Sequence, residues 1–187
     1  MRRMPSFLDD ISSFYGTGEK NEKGQTLEEF LKEYDPYQYK NPCATTDMVL
    51  FSYAGEKPDT DALKVLLVCR KNHPSIGYWA LPGGFVELYE NLEDTARREL
   101  EEETGYCSDD LTRILSLKTT VAFCDEFIDV YLAKNLKPGH QHLDEGEFID
   151  VAAYEVDELC DMIYAGTIQD AKTVAGILAY KNLLNQD

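Results

Sequence analysis

Three glutamates at the end of one short segment, Glu99, Glu102 and Glu103, are the residues of this chain best suited to chemistry. They close the stretch LPGGFVELYENLEDTARRELEEETGY, Leu81 to Tyr106, in which Leu92, Ala96 and Leu100 recur at i and i+4 and Gly105 follows as a stop. The spacing predicts a helix from about Asn91 to Thr104. Asn91 is a good N-cap with Asp94 at N3, a looser relative of the capping box. At roughly 100° per residue, Glu103 lies about 40° from Glu99 around the axis and Glu102 about 60° to the other side. Three carboxylates therefore share one face. Glu101 adds a fourth acid to a helix end that backbone carbonyls already make negative. Like charges so spaced cost roughly 0.2–0.5 kcal/mol per pair. Arg97 and Arg98 can offset part of this, and the remainder calls for a cation. One face with three oxygen donors is what Mg²⁺ or Mn²⁺ takes. The plainer alternative is a solvated acidic helix.

The spacing of the whole stretch separates these readings. Gly84 is followed after five residues by Glu90 and after seven more by Arg98, Glu99 and Leu100, then Glu102, Glu103, Gly105 and Tyr106. Seven defined residues and two apolar ones stand at the positions of the Nudix box, so the chain resembles the Nudix hydrolases. That resemblance implies a fold and a site. The fold is α/β, an α/β/α sandwich around a mixed β-sheet. Glu99 and Glu103 become metal ligands, with Glu102 a further ligand and the carbonyl of Gly83 a backbone one. Glu90 and Arg98 become the ion pair that holds loop to helix, and Gly84 and Gly105 the turns. Mg²⁺, or Mn²⁺, is the implied cofactor. Independently of family, a pyrophosphate repels nucleophiles, so a cation that neutralises it and acidifies water answers the chemical need.

The elements that must position this segment read as follows. Residues 1 to about 25 are polar, with GTGEKNEKGQ a loop or flexible arm. Thr26 and Glu29 set up a capping box for a short helix, TLEEFLKEY. Tyr34, Tyr37 and Tyr39 follow in a proline-flanked strap, where packing on their own domain is favoured over contact with a base. Strands are expected from Ala44 to Tyr53 and from Leu63 to Arg70. Arg70, at a strand end near the expected phosphate site, can clamp a phosphate or simply be solvated. Trp79, the only tryptophan, is expected to brace the glycine turn. Beyond the box, LTRILSLKT and FIDVYLAK alternate as strands, FIDVAAYEV is a third, and VDELCDMIYAG and DAKTVAGILAYKNLL are helices. His140 and His142, two apart in a polar loop, are expected in solvent. The expected organisation is an arm over residues 1–42 and one domain over residues 43–187.

Bulk properties narrow the partners. The 187 residues suit one domain with a substantial core. With 18 basic against 35 acidic residues, net −17, neither a nucleic-acid surface nor attachment to acidic membranes is expected. Such a chain needs a metal or a local arginine to hold an anion. Cys43, Cys69, Cys107, Cys124 and Cys160 are odd in number and widely spaced, which suits reduced thiols in the cytoplasm. The N-terminus lacks an apolar h-region and no run of 18 apolar residues occurs.

LDEGEFIDV, a helix and then DAKTV resemble the C-terminal half of ADP-ribose pyrophosphatases. That branch implies an acidic general base or extra ligand here. Glu145 and Glu147 both qualify, and Glu147 is preferred because it directly precedes a rigid strand. A solvated acidic turn is the alternative. The branch commonly carries a proline about fifteen residues past the box, where Thr120, Val121 and Ala122 stand instead. The region TTDMVLFSY to FVEL looks like the Nudix domain of bacterial regulators that sense ADP-ribose and carry a winged helix. No such second domain is expected here. The implied activity is hydrolysis of a nucleoside diphosphate linked to another group, foremost ADP-ribose to AMP and ribose 5-phosphate, by a homodimer. Other nucleotide sugars, dinucleotides or oxidised nucleotides, and a non-hydrolytic ADP-ribose sensor, are the alternatives.

Overall fold

Two apolar runs organise the chain, because both are buried on each face and so cannot lie at the surface. The computed structural model describes residues 16–34, 44–52, 64–87, 89–120, 126–144 and 147–186. Within it, KVLLVCR forms β2 (Lys64–Arg70) and FIDVYLAK forms β7 (Phe127–Lys134). The sequence suggests alternation in β7, but six successive residues, Ile128 to Ala133, are buried, as in a strand covered on both sides.

The remaining strands are β1 (Ala44–Ser52), β3 (Trp79–Ala80), β4 (Gly83–Phe85), β5 (Tyr106–Cys107), β6 (Asp110–Lys118), β8 (Lys137–Pro138) and β9 (Ile149–Glu155). Among the described residues seven strands form one sheet, running β3-β2-β1-β7-β6, with β4 on β1 and β9 on β2. β1 and β7 pair in parallel and the other pairs are antiparallel, so the sheet is mixed. The pair β5 and β8 stands apart. The short strands β3, β4, β5 and β8 escape sequence reading because two or three residues carry no period.

Helices are α1 (Leu27–Glu33), α2 (Leu92–Thr104), α3 (Val156–Tyr164) and α4 (Ala171–Leu184). Val65 and Leu67 of β2 and Ile128, Val130 and Leu132 of β7 pack with Leu159 of α3 and Ile177 of α4. Leu66 of β2 and Tyr131 and Ala133 of β7 face the other way and pack on Ala96 and Leu100 of α2. The result is the α/β/α sandwich. Trp79 packs edge-on to Tyr154 of β9, with ring centroids 5.4 Å apart, and the amide of Leu81 before the glycine turn donates instead to Thr173 Oγ1 at 2.9 Å. Thr173 in turn donates to Asp170, the N-cap of α4, so that helix start anchors the turn.

The arm is docked. Thr17 N–H donates to the carbonyl of Ile76 and Asn21 Nδ2 to Asn72 Oδ1, at 3.0 and 2.8 Å. The capping box of Thr26 and Glu29 is complete. Phe30 lies beside His73, while Tyr34 stacks on Phe30 with centroids 5.6 Å apart, packing within its own domain. Tyr37, Tyr39, Cys43 and Cys124 lie outside the described residues, where Cys69, Cys107 and Cys160 are free thiols. No helix among the described residues is long and apolar enough to cross a membrane.

Leu100 is fully buried between α2 and the sheet. Leu100→Ala should therefore lower the unfolding free energy by about 2–5 kcal/mol, read by urea denaturation. A loss below about 1 kcal/mol would mean that α2 is not held through this contact.

Candidate active site

The site begins with how α2 is capped. Asn91 Oδ1 accepts from the amides of Glu93 and Asp94 at 3.1 and 2.9 Å, and Asp94 accepts from the Asn91 side-chain amide rather than from its backbone. At the other end Gly105 adopts φ 71°, the left-handed conformation that closes the helix, and its N–H reaches the carbonyl of Glu101. The carbonyls beyond would be orphaned. Residues 139–142 satisfy them: Gly139 N–H donates to Gly105 O, Gln141 Nε2 to Glu103 O at 2.7 Å, and His142 N–H to Glu102 O at 3.1 Å. Sequence reasoning missed Gln141 and this role of His142. The one available signal was a helix end without local caps.

Four acids now have defined places. Arg98 is the hub of three of them: its Nη1 lies 2.8 Å from Glu99 Oε1 and 2.7 Å from Glu102 Oε2, and its Nη2 lies 3.2 Å from Glu90 Oε2. Nη2 also donates to the carbonyl of Phe85 in β4, tying the loop to α2. Arg97 takes no part, since it pairs with Glu93 and the carbonyl of Ser108. Glu103 is only 5% exposed and accepts from the amide of Gly83 at 2.7 Å. The structure thus engages the N–H of Gly83. Gly84 must lack a side chain because an added Cβ would stand 2.3 Å from the Glu99 carboxylate.

Burial pushes the Glu99 carboxyl up to about 7 even though Arg98 opposes the shift, and the charges of Glu102 and Glu147 add to it. Glu90 differs. Burial acts upward there too, but hydrogen bonds from Arg98 and Thr95 outweigh it and hold the group below its ordinary value. Glu147, half-buried just before β9, is raised by burial and by the charges of Asp144 and Glu102, with Arg70 pulling it back. The charge of Glu147 thus acts on Glu99, and that of Glu102 on Glu147. Glu145 lies outside the described residues.

Arg70 ends β2 opposite Ile149 of β9, exposed, with Nε donating to the carbonyl of Pro74 at 3.2 Å. His140 and His142 are exposed, their rings stacked, and His142 Nε2 stands 3.6 Å from Glu102 Oε1. Among the described residues no three His, Cys, Asp or Glu side chains converge as a ready cation cage. Arg98 and the Gly83 amide hold these carboxylates instead. The donor set still fits a hard dication, since the candidate ligands are all oxygens.

Comparison with known proteins agrees with this geometry. A family model described as NUDIX domain matches residues 51–176. An ADP-ribose pyrophosphatase of Bacillus subtilis is 36% identical over 121 residues, 63% of this chain and 65% of that one. The ADPR responsive transcriptional repressor NtrR of Acinetobacter baylyi is 42% identical over 90 residues, 47% of this chain and 34% of that one. The chain thus spans less than two thirds of the length of either relative. The NUDIX domain of Shewanella oneidensis NrtR, solved complexed with ADP ribose, superposes with a TM-score of 0.56 at 27% identity, over 86% of this chain and 99% of that domain.

A carboxyl raised toward 7 by burial binds its proton in the folded protein between about pH 4.5 and 7, where the unfolded chain has released it. Folding is therefore favoured as pH falls through that window and loses this contribution above it. Glu99→Gln removes the effect. In EDTA, the melting temperature of Glu99→Gln minus that of the wild type should be highest near pH 8 and shrink toward pH 5. A difference that stays constant would mean that Glu99 is ionised throughout.

Proposed function

The chain belongs to the NUDIX domain family, and from that premise we propose that it is a metal-dependent diphosphatase of nucleoside diphosphates linked to another group. ADP-ribose, cleaved to AMP and ribose 5-phosphate, is the proposed substrate. The observation that carries this reading is the under-compensated acidic end of α2, where one guanidinium serves Glu90, Glu99 and Glu102 and burial still raises Glu99. The relative named as an ADP-ribose pyrophosphatase and the NrtR domain holding ADP ribose support the choice of substrate.

Glu99, Glu103, Glu102 and the carbonyl of Gly83 would hold the Mg²⁺ or Mn²⁺. Such an ion, when bound, neutralises the diphosphate and lowers the pKa of a water. The other parts fall to the chain itself. Arg98 and Glu90 brace loop against helix, the Gly83 amide orients Glu103, and residues 139–142 hold the carbonyls of the ligand-bearing turn. Arg70 binds a phosphate oxygen through its guanidinium. Glu147, or Glu145, accepts the proton of the attacking water; burial raises Glu147, which makes it a better base than an ordinary carboxylate. Water oxygen bonds to phosphorus, the bridging P–O bond breaks, and the proton passes from the carboxylate to solvent. The homodimer, which rests on the resemblance to the ADP-ribose branch, and the cytoplasmic setting, which rests on the odd number and wide spacing of the cysteines, belong to the same proposal.

A second reading is a non-hydrolytic ADP-ribose sensor, which the similarity to NtrR favours. The intact set Glu99, Glu102 and Glu103 favours hydrolysis. Incubation with ADP-ribose and Mg²⁺ should release AMP. Glu103→Gln should lower kcat by about two orders of magnitude or more with an unchanged circular dichroism spectrum. Turnover retained within a few-fold would remove the metal-site assignment, and absence of AMP from the wild type would favour the sensor.

A further inference from the structure

Glu102 gives only one carboxylate oxygen to Arg98. Its Oε2 lies 2.7 Å from Arg98 Nη1, whereas its Oε1 faces His142 Nε2 at 3.6 Å. The segment that carries His142 is tied to the end of α2: the His142 amide donates to Glu102 O at 3.1 Å, Gln141 Nε2 reaches Glu103 O, and the His140 amide reaches Glu101 Oε1. Imidazole and carboxylate therefore belong to one hydrogen-bonded turn. The ring is oriented as well as placed, because its Nδ1 lies 2.7 Å from the carbonyl oxygen of His140.

A carbonyl oxygen only accepts, so Nδ1 carries the hydrogen and Nε2 of the neutral ring keeps its lone pair. Two acceptors, Nε2 and Glu102 Oε1, then face each other across a gap too wide for a hydrogen bond. A cation between them satisfies both. A ring that donates one nitrogen to a backbone carbonyl and offers the other is the arrangement that metal-binding histidines adopt. The spacing agrees: a nitrogen and an oxygen 3.6 Å apart, each about 2.1 Å from an ion, subtend about 120° at it.

Resting on the reading of Glu102 as a metal ligand, we propose that Glu102 Oε1 and His142 Nε2 form a mixed oxygen and nitrogen cation position that takes a transition dication such as Co²⁺ or Zn²⁺ in preference to Mg²⁺. Imidazole suits transition ions, while Mg²⁺ selects oxygen donors and keeps its waters. Two side chains suffice here, since water or a diphosphate oxygen completes the coordination, and the exposed face of His142 leaves the position open to solvent. His142 thereby sets which ion the acidic turn favours.

Co²⁺ bound to the full chain reports the nitrogen directly. Expected in the proton NMR spectrum is a hyperfine-shifted imidazole N–H resonance that vanishes in D₂O. It should be lost in His142→Gln and retained in His140→Gln, which keeps the backbone carbonyl that Nδ1 needs. Calorimetry should show Co²⁺ bound about ten-fold more weakly by His142→Gln, with Mg²⁺ affinity within about two-fold of wild type. Both variants should melt in EDTA as the wild type does, because both rings are exposed. Were His142 only a positive partner of Glu102, its removal would instead tighten both ions alike, and that outcome overturns the proposal. So does a wild type that binds no Co²⁺, or binds it without the shifted resonance, or a resonance lost in His140→Gln but not in His142→Gln. The diphosphatase reading fails separately: AMP released with Mg²⁺ by a wild type lacking the resonance leaves that reading standing and removes the mixed position. A resonance that survives Glu103→Gln while turnover also survives keeps the mixed position and removes the wider metal-site assignment.

Discussion

Negative charge confined at the end of α2 is the constraint to which the surrounding structure answers. A helix C-terminus disfavours carboxylates, yet Glu99, Glu102 and Glu103 stand there, two of them in contact with a single guanidinium and one buried against a backbone amide. Each support comes from a different part of the chain. Arg98 is local, Gly83 lies in β4, and the 139–142 segment follows β8. Burial raises the Glu99 carboxyl in spite of Arg98.

The sandwich serves this end in an identifiable way. β2 and β7 send alternate residues to α2 on one side and to α3 and α4 on the other, so one pair of strands fixes both layers. The α3 and α4 side is not inert support: the N-cap of α4 reaches through Thr173 to the amide of Leu81 and so holds the turn that carries Gly83 and Gly84. Gly84 then admits the Glu99 carboxylate into space a side chain would fill. Core, turn and acid are mechanically one unit, which suits a site whose ligands must be held closely in place.

A polar segment rich in Gly, Lys and Glu carries little hydrophobic driving force of its own. It is ordered here by hydrogen bonds to one loop, with Phe30 against His73 as the apolar anchor. Its charged residues Glu19, Lys20 and Glu22 line the cavity beside the end of β2 rather than the core.

Much was legible from residue order. The period of Leu92, Ala96 and Leu100, the caps Asn91 and Gly105, and the three carboxylates on one face all follow from 3.6 residues per turn, because they concern neighbours in one helix. The capping box of α1 and the long strands are equally local. What only tertiary structure decided involves partners far apart in the chain. Arg97 and Arg98 are adjacent and chemically alike, and their divergence depends on what each helix face meets, Ser108 in one case and the Phe85 carbonyl in the other. Trp79 packs edge-on to Tyr154, and Gln141 reaches the Glu103 carbonyl, pairings that no pattern along the chain encodes. Residue order thus determined which groups bear the charge, and folding decided how far that charge is buried and what compensates it, because desolvation and pairing exist only once distant segments meet.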